Sequence, residues 1–179
     1  MYIDILKQIV NNYERYKNIA VNLEWAEFNS RYYEWFKNHV GIFVTVCDFA
    51  EGYVKNNFEQ AYVQTVLTYM AYMEEFKEDF RNTPPAELLK YMTQNEYYYA
   101  SYMSYEDLRM KTVTEDYLMQ QIKWDAGDDD IPESEINSVI PYLVGAENIE
   151  IGGCFCCYDH TFISIKNNSI MLIDCEIWD

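Results

Sequence analysis

HTFISIKNNSIMLIDC, residues 160–175, is the stretch whose reading decides the fold. Two runs rich in β-branched and apolar residues flank Asn167-Asn168. Asn tolerates positive φ, so a two-residue link of this kind predicts a tight β-hairpin. Such a turn also sets the register. Lys166 then opposes Ser169, Ile165 opposes Ile170, and Ile163 opposes Leu172. Further along, Phe162 opposes Ile173, Thr161 opposes Asp174, and His160 opposes Cys175. Immediately upstream, ENIEIGGCFCCY (residues 147–158) is a third β-like run. The C-terminal part of the chain therefore reads as a small antiparallel meander.

Upstream of the meander the pattern is mainly helical. Ile5, Leu6, Ile9, Val10, Tyr13 and Tyr16 recur at helical spacing. NSRYYEWFKNH reads as a short helix capped by Asn29 or Ser30 and ended by Gly41. IFVTV, residues 42–46, fits either a short buried strand or an apolar helix. From Phe58 to Phe80 an amphipathic helix is expected. Its core stripe is Phe58, Tyr62, Val66, Tyr69, Met73, Phe76 and Phe80. Thr83-Pro84-Pro85 stops that helix, and Pro85 suits the first turn of the next. Residues 95–124 read as one broken helix or two, and a helix from about Ser134 to Val144 meets Pro141.

The class implied is α+β: a mostly helical N-terminal two thirds packed on a small C-terminal antiparallel β-meander. Residues 1–179 form one domain, with 1–124 mainly helical, 125–135 an acidic loop, and 136–179 a helix plus antiparallel strands. At 179 residues, with 50% hydrophobic side chains, the chain can bury a core without help from disulfides or metal.

Charge is the dominant global signal. Thirteen Lys and Arg face thirty Asp and Glu, a net −17. Such a chain repels phosphate backbones and anionic membranes, which argues against direct nucleic-acid or membrane binding. It is drawn instead to basic protein surfaces. The segment DAGDDDIPESE places Asp125, Asp128, Asp129, Asp130, Glu133 and Glu135 in one stretch as a docking surface. Eighteen tyrosines exceed what one core needs. Tyr98, Tyr99 and Tyr102 are therefore assigned to an interface. No secretory signal pattern or membrane-length apolar run is visible, and reduced cysteines in a cytoplasm are expected.

Cysteine and histidine chemistry gives two further readings. If Tyr158-Asp159 is a tight turn, Cys157, His160 and Cys175 share one face, a weak zinc set without a standard knuckle spacing. Cys47 precedes a helix-like stretch, where a helix N-terminus would lower its pKa. Cys47, His160 and Asp174 come in the chain order of papain-like and transglutaminase-like cysteine enzymes, and C47-D48-F49-A50 with H160 and D174 resembles that arrangement over about twenty residues. The resemblance implies Cys47 as nucleophile, His160 as general base and Asp174 as its orienter, in a thiol hydrolase or acyltransferase. The usual glycine and spacer around the cysteine are missing. The bland alternative packs the cysteines as small hydrophobes in a strand.

No complete catalytic or cofactor motif is present, and no cofactor is expected. The composition is similar to that of small acidic inhibitors encoded by phages or mobile elements, including nucleic-acid mimics and anti-defence proteins. It is also similar to that of immunity proteins that neutralise toxins. The leading expectation is a non-catalytic acidic inhibitor that docks on a basic partner protein, of the nucleic-acid-binding kind. The oligomeric state stays open.

Overall fold

A computed structural model describes residues 1–10, 12–37, 40–73, 81–88, 109–126, 132–152 and 160–177. The elements are α1 (Tyr2–Val10), α2 (Tyr13–Val21), β1 (Phe28–Lys37), β2 (Val40–Phe49), α3 (Tyr53–Asn56) and α4 (Phe58–Met73). They continue with β3 (Arg109–Val113), α5 (Glu115–Ala126), α6 (Glu133–Leu143), β4 (Glu147–Gly152), β5 (His160–Ile165) and β6 (Ser169–Ile177). Residues 85–88 are also helical, opened by Pro84, whose carbonyl accepts from the Leu88 N–H.

The strands form one antiparallel six-stranded sheet in the order β1-β2-β6-β5-β4-β3. The class is α+β. The expected segregation of helices and strands is wrong, because β1, β2 and β3 all fall within the first two thirds of the chain.

NSRYYEWFKNH is the main correction. Its residues 29–37 are not a helix but most of β1, paired with β2 from Phe28↔Phe49 to Lys37↔Val40, and Asn38 and His39 lie outside the described residues. Its aromatic residues fit a period of two as well as a helical period, and Tyr, Trp and Phe favour pleated surfaces. Tyr32 packs on one face of the sheet and Trp35 is buried on the other. IFVTV resolves as strand for the same tertiary reason, since β2 lies between β1 and β6. In the expected helical span 95–124, residues 109–113 are a strand and 115–126 a helix; residues 95–108 lie outside the described residues.

Alternation along β2 and β6 sends side chains into two separate cores. On one face Phe43, Cys47, Phe49, Ile170 and Leu172 meet α1, α2, α3 and α4. On the other Ile42, Val44, Val46, Met171 and Ile173 meet α5 and α6. The sheet is therefore covered on both sides, three layers deep.

α4 is the inner helix of the first layer. It is buried all round from Ala61 to Ala71 rather than along one stripe. Ala61, Val63, Leu67, Met70 and Ala71 fill the sides that a single stripe leaves open. Each fully buried Leu or Val contributes about 1.5–3 kcal/mol. The polar residues on α4 are satisfied locally. Thr65 and Thr68 donate to the carbonyls of Ala61 and Gln64. Gln64 clamps Ala26, accepting from its N–H at 3.0 Å and donating to its carbonyl at 3.1 Å.

Two long-range ties complete the layers. Glu147 at the head of β4 accepts from the backbone N–H groups of Tyr2 and Ile3, capping α1 across the fold. Trp35 of β1 donates its indole N–H to Glu135 of α6 at 2.6 Å. α6 runs through Pro141 to Leu143. Gly145 follows it with φ +71°, the left-handed geometry that ends helices.

Candidate functional site

The β5–β6 hairpin has the register set by its Asn-Asn turn, including His160↔Cys175 and Thr161↔Asp174. That register is what separates Cys47 from the other two residues of the thiol reading. Cys47 pairs with Ile170, and Ile170 pairs with Ile165. The backbone of His160 is five residues further along β5, roughly 16 Å at strand rise. Asp174 is four residues from Ile170 along β6, roughly 13 Å. Cys47, His160 and Asp174 do not converge, since proton transfer needs about 3 Å.

Cys47 also does not open a helix. It lies within β2, fully buried beneath α4. Burial pushes its thiol up to about 12, and the Thr65 and Thr68 hydroxyls and the charge of Arg81 only partly offset that. Burial thus disfavours the thiolate needed for attack.

Asp174 is buried on the same side of the sheet as Cys47. Tyr69 of α4 donates to its Oδ2 at 2.7 Å and Thr161 of β5 donates to its Oδ1 at 3.0 Å. A carboxylate inside a protein is tolerated when such donors satisfy it. Here it ties α4 to the centre of the sheet. Cys175 packs into the opposite core with Ile42 and Ile173. Cys157 lies outside the described residues. Among the described residues no group of three His, Cys, Asp or Glu side chains could hold a metal ion.

The acidic segment is shorter as a loop than its composition suggests. Asp125 belongs to the end of α5, and Glu133 and Glu135 to the first turn of α6, where carboxylates suit the helix dipole. Glu133 is exposed, while Glu135 is engaged by Trp35. Asp128, Asp129, Asp130, Tyr98, Tyr99 and Tyr102 lie outside the described residues.

The surface electrostatics are more informative than any single residue. Arg15 pairs with Glu59, Arg31 with Asp48 at 2.8 Å, and Lys111 with Glu150 at 2.7 Å. Lys166 donates to the Pro141 carbonyl, and Arg81 to Ser30. These five cations are thus drawn into contacts within the fold. Glu14, Glu24, Glu27, Glu51, Glu87 and Asp116 are exposed, and none forms an ion pair among the described residues. Glu24, Glu27 and Glu87 flank one junction, where the Trp25 indole donates to the Thr83 carbonyl at 2.8 Å.

Sequence reasoning did not find Glu150. It sits in β4 beneath α5, where Lys111 reaches its carboxylate and Tyr117 packs over the lysine, ammonium to ring centre 5.2 Å. In ENIEI strict alternation marks Asn148 and Glu150 as a solvent-facing pair. Only a second helical layer makes that face dry. No family model matches the chain, and no curated protein or solved structure matches it.

Proposed function

We propose that the chain is a non-catalytic binding protein that docks on a basic surface of a partner protein and blocks it. The observation that carries this reading is the net −17 charge together with the engagement of Arg15, Arg31 and Lys111 by Glu59, Asp48 and Glu150, while Glu14, Glu24, Glu27, Glu51, Glu87 and Asp116 form no ion pair among the described residues. An anionic surface of this kind speeds encounter with a basic partner and rejects acidic ones. A nucleic-acid-binding protein is the partner class favoured, because its groove is built to attract closely spaced negative charge. A thiol hydrolase reading has no comparable support, given the buried neutral Cys47 and its distance from His160.

The test is capture of partners from a lysate of the source cell at low and at high ionic strength. The expected result is a basic protein retained at low salt, released at high salt, and displaced by added DNA. A triple variant Glu24→Gln, Glu27→Gln, Glu87→Gln retains less of it if the Trp25–Thr83 junction contributes to docking. Recovery of no salt-sensitive basic protein overturns the reading.

A further inference from the structure

We draw no further inference here: the strongest candidate, the shallow hollow of about 380 Å³ between the start of α5 and the adjoining ends of β3 and β4, is an acidic cluster at a helix N-terminus, and its one buried polar side chain, Asn148, is already satisfied by the Leu143 carbonyl and the Ser164 hydroxyl.

Discussion

Lys111 on the outermost strand β3 holds its ammonium 2.7 Å from the carboxylate of Glu150, yet the two side chains differ widely in exposure, 62% against 7%. The pair joins solvent to interior. Removing one partner of such a pair leaves a desolvated charge, whereas replacing both by apolar groups is often neutral. Lys111→Met is therefore expected to lower the thermal midpoint, and the double variant Lys111→Met, Glu150→Leu to recover most of the loss. Calorimetry on the three proteins decides. A Lys111→Met protein as stable as the parent would sink the idea. The sign with pH follows from the same contact. Its hydrogen bond to Glu150, and then the charge of Glu150, raise the Lys111 pKa above 10.5. Its contribution is complete below that value and disappears as pH climbs past the raised one.

Cys47 predicts a second loss at high pH. Its thiol ionises near 9.0 when exposed and at about 12 when folded. Between those values the unfolded chain gives up a proton that the folded chain keeps, so stability falls as pH rises through that window. The full effect is of order 4 kcal/mol at most. Urea unfolding at several pH values between 7 and 10.5 should show it, with a shallower decline in Cys47→Ala. Alkylation with peptide mapping gives an independent check. Cys47 should stay unmodified in the native protein and react on unfolding.

The Tyr69–Asp174 hydrogen bond is expected to matter more than its 2.7 Å length alone suggests. Tyr69→Phe keeps the ring and removes a donor from a buried carboxylate. A loss of about 1.5–3 kcal/mol is expected, the range for bonds to charged groups. Chemical denaturation with an unchanged slope would locate the effect in the folded state. A change under about 0.5 kcal/mol, the size of an ordinary surface substitution, would show that the carboxylate does not depend on this donor.

Glu147 caps α1 from the other end of the chain. Glu147→Ala should cost about 1 kcal/mol, as loss of a cap does. Amide exchange should speed up in the first turn of α1 and stay unchanged in β2 and β6. Uniform acceleration across all three would mean the carboxylate supports the whole fold rather than the helix start.

Much of the C-terminal architecture was legible because local chemistry determined it. Asn167-Asn168 permits a tight turn, and the turn dictates which residue faces which. β1 was not legible, because Tyr32, Tyr33, Trp35 and Phe36 satisfy helical and strand spacing alike, and only pairing with β2 decides between them. The same limit governed the Cys47, His160 and Asp174 reading. Its chain order is visible in the sequence. The insertion of β6 between β2 and β5, which sets Cys47 far from His160, is a tertiary fact with no local signature. Glu150 was hidden for a related reason, since alternation in β4 says which residues share a face but not whether helices cover it.

The position of β6 between β2 and β5 also has a temporal consequence. β2, with its run VGIFVTVCDF, has its second partner in residues 169–177, synthesised more than a hundred residues later. A β1–β2 hairpin formed before then would leave one apolar strand edge unmatched, the kind of edge that recruits other chains. Completion of the sheet is then a late event in biosynthesis, and slow in vitro refolding is expected from contacts this distant in sequence.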